Sequence, residues 1–214
     1  MASVSFIGKI TDNSGNLYLG GVVGYFWNNI EATVKNCANY GSVTHSGEAN
    51  NAYIGGVTGV SDGSASNKID IQNCLNYGTI THNGTTKYDL YIGGISGSTS
   101  GTVNIENCVS AGKIISNKGY IGSITGSIDS DVTTTIAHCY WSSDDGYNKA
   151  CGKGSPTITE STSFNSTTFE LSEAVSVGSY TDTSLIGALN AAADYYYLRD
   201  YSHWLLNKDS KDVS

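Results

Sequence analysis

The sequence predicts an all-β chain folded as a right-handed parallel β-solenoid of about four to five coils, closed by a C-terminal cap with one short α-helix. Two short motifs each occur four times, in alternating order. Apolar and polar residues alternate within them, as in strands, and the frequent Gly and β-branched residues disfavour helix. A single repeat cannot bury its apolar face but stacked repeats can, and parallel crossover connections are right-handed in nearly all cases.

The first motif contains an Asn-Cys pair and, four residues after the Cys, a Gly that is followed by one polar and one apolar residue. Its cysteines follow each other at steps of 37, 34 and 31 residues, and the last copy is degraded. Strands of constant length joined by loops of variable length produce such a drifting period. The four copies occupy residues 34–43, 71–80, 105–114 and 136–141.

The second motif has the form Ile-Gly-Gly-Val-x-Gly and lies between copies of the first. With it, each repeat offers about three short apolar segments, which predicts a roughly three-sided coil. The array is therefore assigned to residues 1–141. The four copies occupy residues 19–24, 54–59, 92–97 and 121–126.

Stacking in register would place equivalent side chains in columns. We expect the Asn column at a turn, bonding backbone groups and the Asn of neighbouring coils, and the Cys column inside as small buried hydrophobic residues. The Cys residues lack the short spacing of a zinc site, and a disulfide from Cys139 to Cys151 stays open as an alternative. His138 replaces Asn in the last copy, where the Asn column should stop. The two columns are Asn36, Asn73 and Asn107, and Cys37, Cys74, Cys108 and Cys139.

Residues 142–214 are predicted to form the C-terminal cap. An open solenoid end exposes strand edges and core, which must be covered. The apolar spacing across residues 184–194 is that of an amphipathic helix of about three turns, with Thr183 or Ser184 as its N-cap. Tyr195–Tyr197 and Trp204 would add an aromatic plug on the last coil.

The net charge and the length of the apolar runs argue against two classes of partner, nucleic acid and the membrane interior. The net charge is −8 and the pI is near 4.7, so an acidic surface argues against nucleic acid. The longest apolar runs, such as Leu19–Tyr25, are far shorter than a bilayer span, which argues against direct membrane insertion. The sequence shows no secretory signal, and both of its ends resemble cuts through a longer protein.

The motifs resemble the GLUG-motif repeats of large secreted and surface proteins of bacteria and some protists. The resemblance lies in Tyr53–Gly59 and Tyr91–Gly97, which alternate with Asn73–Ile80, and more loosely in Cys139–Trp141, Leu189-Asn190 and Trp204. It covers about residues 4–141 well. It implies an extracellular or cell-surface location, a place within a larger secreted protein and no catalytic residues, cofactor or metal.

The principal alternative is a carbohydrate-active β-helix enzyme, a polysaccharide lyase or hydrolase. Such enzymes need clustered carboxylates on one face, whereas the Asp residues here fall in or beside variable linkers. His45 and His82 share a repeat position and should stack on each other, which needs no ligand to explain it. We therefore expect no enzyme activity. The carboxylates considered are Asp62, Asp70, Asp89, Asp129, Asp131, Asp144 and Asp145.

The sequence favours a non-catalytic adhesion or spacer module, with a host or cell-surface glycan or protein as the partner. Tyr stacks on sugars and serves protein interfaces, so two repeated rows are candidate binding surfaces. A third class, an ice-binding solenoid, fits less well because the Thr residues do not form a wide regular array. In a eukaryotic host Asn83 and Asn165 would be glycosylation acceptors. The rows are Tyr40 and Tyr77, and Tyr53, Tyr91 and Tyr120.

Overall fold

The computed structural model describes residues 15–27, 31–64, 66–129, 133–144, 146–196, 204, 206–207 and 212–213. Residues 8–10, whose sequence Gly-Lys-Ile matches the end of the first motif and predicts a partial N-terminal repeat, lie outside this range, as do Asp131, Asp145 and Tyr197.

Short strands dominate the chain; the first two coils contribute six each and the third contributes five. The first two coils contain β1 (Leu17–Gly20), β2 (Val23–Phe26), β3 (Ala32–Lys35), β4 (Ala38–Asn39), β5 (Val43–His45), β6 (Glu48–Ala49), β7 (Ala52–Gly55), β8 (Thr58–Asp62), β9 (Ile69–Gln72), β10 (Leu75–Asn76), β11 (Ile80–His82) and β12 (Thr85–Thr86). The stack continues with β13 (Leu90–Gly93), β14 (Ser96–Ser100), β15 (Val103–Glu106), β16 (Val109–Ser110), β17 (Ile114–Ile115), β18 (Tyr120–Gly122), β19 (Thr125–Ile128), β20 (Thr134–Ala137), β21 (Tyr140–Ser142), β22 (Cys151–Lys153), β23 (Thr157–Thr159) and β24 (Thr162–Asn165).

Strands at equivalent positions pair in parallel from one coil to the next, which confirms the predicted parallel β-solenoid. The longer parallel sheets have the orders β1-β7-β13-β18, β2-β8-β14-β19-β22 and β3-β9-β15-β20-β23. The chain completes about three turns between β1 and β18, slightly fewer than the four to five coils predicted. The prediction counted the N-terminal partial repeat and the degraded last copy as coils.

Each coil has more corners than the three-sided coil predicted. Asn36, Asn73 and Asn107 adopt φ values of 56°, 51° and 50°, in the left-handed region that Asn tolerates better than most residues. This turn divides the Asn-Cys segment into two strands, such as β9 and β10. The same corner recurs at His138, with φ 52°, and at Glu160, with φ 44°. The left-handed backbone geometry therefore continues into later coils, where Asn no longer occupies the position.

The core consists of the predicted columns. Most Ile and Val residues of the Gly-Gly motif are buried, with Ile54, Ile92 and Ile124 fully inaccessible, whereas Ile121 is only partly buried and Val22, in the first copy, is 37% exposed. Cys74, Cys108 and Cys139 are fully buried, Cys37 partly so, and all five thiols of the chain are free. The alternative of a Cys139–Cys151 disulfide is therefore wrong in this fold.

Parallel pairing continues past Trp141, the last residue of a recognisable motif. Strand β22 pairs with β19, β23 with β20, and β24 with β21. The segment around Cys151, which lies within the predicted cap, thus supplies another strand to the stack. Its register places Cys151 beside Thr125 and Lys153 beside Ser127.

The cap begins where the pairing direction reverses. It contains β25 (Glu170–Val177), β26 (Tyr180–Ser184), α1 (Leu185–Tyr196), β27 (Leu206–Asn207) and β28 (Asp212–Val213). Strand β25 pairs antiparallel with both β24 and β26. The predicted helix is confirmed, and the Ser184 hydroxyl accepts the Gly187 N–H at 3.3 Å as its N-cap.

Helix α1 packs against the outer face of the sheet that contains β10, β16, β21 and β24, through a cluster that includes Leu75 and Val109, so it covers the side of several coils and not only the last coil as predicted. Its buried residues pack in a cluster with Tyr140, Phe164 and Leu171. Trp204 is buried and exchanges two hydrogen bonds with the side chain of Asn190, at 2.7 and 3.0 Å. Tyr195 and Tyr196 are about half exposed, so of the predicted plug only Trp204 is buried among the described residues. No helix in the described ranges has the length and hydropathy to cross a bilayer.

Candidate functional site

Four tyrosines form a continuous column on the outer face of the sheet β1-β7-β13-β18. Tyr18 is in register with Tyr53, Tyr53 with Tyr91, and Tyr91 with Tyr120. The next residue along each strand points inward, because side chains alternate between the two faces. The register therefore places one tyrosine per coil on the same outer line.

The rings of this column stack on one another. Their centroids lie 5.3, 5.3 and 5.4 Å apart in order from Tyr18 to Tyr120, and the ring planes differ by 15° to 23°. The step is close to the strand spacing of about 4.8 Å, so the backbone imposes it. Each inner ring has its two faces against its neighbours. The column presents ring edges and hydroxyl groups to its surroundings.

A groove of about 550 Å³ lies beside the column, between it and the sheet β2-β8-β14-β19-β22. The two sheets approach closely at the last glycine of the motif: a Cβ on Gly97, within β14, would lie 2.8 Å from the Tyr53 carbonyl carbon, so only glycine permits this approach. We call this space the tyrosine groove. It is lined by Tyr18, Tyr25, Tyr53, Val60, Asp62, Tyr91, Ser98, Ser100, Ser127, Ile128, Asp129, Lys153 and Gly154.

Two tyrosine hydroxyls of the groove donate to carboxylates. Tyr25 donates to Asp62 at 3.2 Å, and Tyr91 donates to Asp89 at 2.9 Å. Burial, followed by the neighbouring carboxylate, raises the pKa of both tyrosines to about 12. Burial also raises the pKa of Tyr53. These hydroxyls are neutral hydrogen-bonding groups at any physiological pH, whereas a tyrosine acting as a base needs its pKa lowered.

The groove has a cation at one end and an aromatic cluster at the other. Lys153 Nζ lies 4.8 Å from the ring centroid of Tyr120 and 5.6 Å from that of Tyr91, and it donates to the Tyr91 hydroxyl at 3.4 Å. At the opposite end Tyr25 stacks on Tyr18 at 4.7 Å. Trp27 packs edge-on against Tyr25 and is 59% exposed, so it offers an open aromatic surface.

The structure separates the two tyrosine rows expected from sequence. Tyr53, Tyr91 and Tyr120 belong to the column beside the groove. Tyr40 and Tyr77 lie next to a different sheet, as a tilted pair 6.1 Å apart. They are not part of the groove.

Sequence reasoning missed several groove residues. Tyr18 precedes Leu19-Gly20-Gly21 as Tyr53 precedes Ile54-Gly55-Gly56, so the repeat itself carried the signal. No repeat pattern marks Tyr25, Trp27 or Lys153. Lys153 reaches the groove only because β22 joins the stack.

The Asn and Cys columns are structural. Asn73 donates to Asn36 at 2.7 Å, and Asn107 donates to Asn73 at 3.0 Å. The thiols of Cys74 and Cys108 each donate at 3.2 Å to the carbonyl oxygen two residues earlier, of Gln72 and Glu106. The hydrogen bond with Cys108, and then burial, raises the pKa of the Cys74 thiol, and burial raises that of the Cys108 thiol, so both stay protonated.

Two of the candidate carboxylates line the tyrosine groove. Asp62 ends β8 and Asp129 follows β19, which is two strands away and therefore about 10 Å distant along the sheet. Asp89 contacts the column from outside the groove lining. Asp70 pairs with Lys68 at 2.9 Å on another sheet. Within the described residues no three His, Cys, Asp or Glu side chains are placed to hold a metal ion.

The remaining candidates lie elsewhere. His45 and His82 stack as predicted, with ring centroids 4.9 Å apart, and both are buried. The two sequon asparagines, Asn83 and Asn165, are exposed. The side chain of Asn165 accepts the backbone N–H groups of Thr167 and Thr168.

Comparison of the chain with protein-family models, curated proteins and solved structures finds no match.

Proposed function

We propose that this chain is a non-catalytic, extracellular repeat module of a larger surface protein, in which the tyrosine groove binds a cell-surface glycan. The observation that carries the proposal is the groove itself: a concave strip along the stack, walled by a tyrosine column on one side and by hydroxyl and carboxylate groups on the other. The stacked coils supply a continuous core and hence a stiff support. The resemblance to GLUG-motif repeats agrees with a surface location.

The chemistry of the walls favours a glycan over a protein. Hydroxyl groups both donate and accept hydrogen bonds, so a wall bearing Ser98, Ser100 and Ser127 opposite tyrosine hydroxyls pairs well with the hydroxyls of a sugar. A protein interface needs an apolar centre with aromatic anchors. Among the groove-lining residues only Val60 and Ile128 are aliphatic.

The stacked ring faces limit how a sugar can be bound. Inner rings such as Tyr53 and Tyr91 have neighbours on both faces, so a sugar would meet their edges and hydroxyls. Trp27, at 59% exposure, is the group suited to stacking on a sugar ring. The groove would thus bind a chain through hydrogen bonds along its length and one aromatic contact at its end.

Charge favours a neutral or amino-sugar glycan. Asp62 and Asp129 outnumber Lys153 in the lining, and the whole chain carries a net charge of −8. An acidic polysaccharide would be repelled both locally and at long range.

A carbohydrate-active enzyme is the second candidate, because Asp62 and Asp129 line one groove. Their backbone positions lie about 10 Å apart, two strand steps, which is just beyond the carboxylate spacing of about 6.5–9.5 Å used for inverting hydrolysis. The raised pKa of Tyr25, Tyr53 and Tyr91 disfavours a tyrosine base of the kind a lyase would use. Binding remains the better-supported function.

A glycan array probed with the full chain tests the proposal, followed by calorimetry on the strongest neutral or amino-sugar hit. The double variant Tyr53→Phe/Tyr91→Phe keeps the rings and removes two hydroxyls, and Trp27→Ala removes the open aromatic surface. Each should weaken binding about tenfold. Tyr77→Phe, on the other face, is the matched control and should bind as the parent does.

Three results would contradict the proposal. Binding confined to acidic glycans would oppose the charge argument, and equal losses in Tyr77→Phe and the groove variants would place the site elsewhere. Release of new reducing ends or unsaturated sugars, abolished by Asp62→Asn or Asp129→Asn, would establish the enzyme instead.

A further inference from the structure

A second cavity, of about 740 Å³, lies beside the histidine stack and shares no lining residue with the tyrosine groove. Residues from β11 and β17, the loop that follows β17 and Tyr147 form its walls. We call it the lysine pocket. It is lined by His82, Asn83, Gly84, Lys113, Ile114, Ile115, Ser116, Asn117, Lys118 and Tyr147.

The pocket exists because the histidine column ends after two rings. Strand β11 pairs with β5 on one side, where His82 is in register with His45. On the other side Ile80 and Thr81 pair with Ile114 and Ile115, so the next position, Ser116, falls where a third histidine would stack. A small side chain replaces a ring there. Tyr147 fixes the wall by donating its hydroxyl hydrogen to the Ser116 carbonyl at 2.7 Å.

The pocket is cationic on an otherwise acidic protein. Lys113 and Lys118 line it, and no Asp or Glu does. Neither ammonium group has an ion-pair partner among the described residues, whereas Lys68 is paired with Asp70. The chain has 11 Lys and Arg against 19 Asp and Glu, so two unpaired lysines facing one cavity stand apart from the overall charge.

His82 adds a buried polar group at the base of the pocket. Its residue exposure is 5%, and neither ring nitrogen has a hydrogen-bond partner in the described structure. A buried polar group left unsatisfied costs stability and usually has a functional explanation. Asn83, Asn117 and Ser116 supply further polar side chains around it.

We propose that the lysine pocket binds an oxyanion, the carboxylate or sulfate group of an acidic sugar. Lys113 and Lys118 supply the charge, Asn83 and Asn117 supply hydrogen-bond donors, and the His82 ring responds to the anion through its field. The site is independent of the tyrosine groove, whose charge favours neutral or amino sugars. The chain would thus hold two glycan sites of opposite preference.

The histidine provides a readout that does not depend on any assay of function. In the free protein burial, then His45 and Lys118, lowers the pKa of His82 to about 4. An anion near Lys118 offsets the repulsion from its ammonium group and adds an attractive charge, so it should raise the His82 pKa.

The test is a titration of the full chain with glucuronate, sulfate and methyl glucoside, followed by the His82 ring signals in NMR spectra. Glucuronate should bind and shift the His82 titration to higher pH, and the neutral glucoside should do neither. Lys113→Gln and Lys118→Gln should each weaken glucuronate binding about fivefold. Lys35→Gln removes one exposed lysine on a different sheet and is the matched control.

Comparing glucuronate with sulfate distinguishes an acidic sugar from a free inorganic anion as the ligand. Tighter binding of glucuronate than of sulfate supports an acidic-sugar site, while equal binding of both supports an oxyanion site that takes the free ion. Equal response to the neutral glucoside, or an equal loss in Lys35→Gln, overturns the proposal. Neither result bears on the tyrosine groove, whose own variants leave the lysine pocket unchanged.

Discussion

His82 stacks on His45 with ring centroids 4.9 Å apart and planes 22° apart, and none of the four ring nitrogens has a hydrogen-bond partner among the described residues. Repetition explains the pair: adjacent coils place the same residue in the same buried register. Burial lowers the pKa of both rings, that of His82 to about 4. The pair is stable only while both rings are neutral.

The first prediction concerns acid stability. In the unfolded chain His82 has the ordinary pKa of 6.5, above its folded value of about 4, so protons bind preferentially to the unfolded state. The stabilisation is complete above pH 6.5 and is lost as pH falls toward 4, by about 3 kcal/mol for His82 alone. Urea unfolding across this range measures the loss. His82→Leu should flatten the profile, and an unchanged slope in that variant would contradict the assignment.

The second prediction concerns the asparagine column. Asn73→Ala removes two amide hydrogen bonds. It also places alanine, which tolerates the left-handed region less well than asparagine does, at a backbone φ of 51°. It should lower the free energy of unfolding by about 3 kcal/mol. Asn73→Gly keeps the backbone conformation and should cost less, about 1 to 2 kcal/mol. Equal losses in the two variants would show that backbone conformation contributes nothing at this corner.

The third prediction concerns the Gly-Gly turns. A Cβ on Gly56 would overlap the Gly94 carbonyl oxygen of the next coil and the Asn76 side chain of its own coil. Gly56→Ala should therefore destabilise the fold by at least about 3 kcal/mol. Gly15→Ala is the control, because nothing lies within 4 Å of a Cβ at that position. Thermal unfolding of the two variants, with circular dichroism to confirm folding, makes the comparison.

The fourth prediction concerns thiol reactivity. Cys74, Cys108 and Cys139 are fully buried and should resist alkylation in the native state. Cys151 is partly exposed, but burial raises its pKa to about 11, so it should react slowly near neutral pH. Mass spectrometry after a short iodoacetamide pulse, with a urea-unfolded control, reads all five sites. Fast native labelling of Cys108 would place it outside the core.

Much of the fold could be predicted because the sequence repeat shows which residues occupy equivalent positions in successive coils. The spacing of Cys74 and Cys108 predicted that they lie in neighbouring coils. The pairing of the next residues, Leu75 with Val109, confirms that register. Helix α1 was visible because its apolar spacing and its Ser184 cap are local signals. These features depend on residues close in sequence or on identical copies.

The groove was harder to predict, because unlike segments build it. Tyr91 belongs to a repeated motif, but Lys153 comes from a segment with no motif and Asp62 from a variable linker. Their meeting depends on the Gly-Gly turns folding one sheet against the next. The hairpin of β25 and β26 was not predicted from the sequence for another reason. Its pairing register shifts between Glu170 and Val175, which breaks the alternation of apolar and polar residues that marks a strand.

Loops of different length connect equivalent strands. Between β8 and β9 the connection comprises residues 63–68, whereas residues 101–102 make the same connection in the next coil. Strands on both sides stay paired residue for residue, from Thr58 with Ser96 to Ile69 with Val103. Because closing a longer loop adds little entropic cost, the connection at residues 63–68 should tolerate an inserted peptide. A peptide inserted there is therefore expected to leave the pairing of β8 with β14 and of β9 with β15 unchanged.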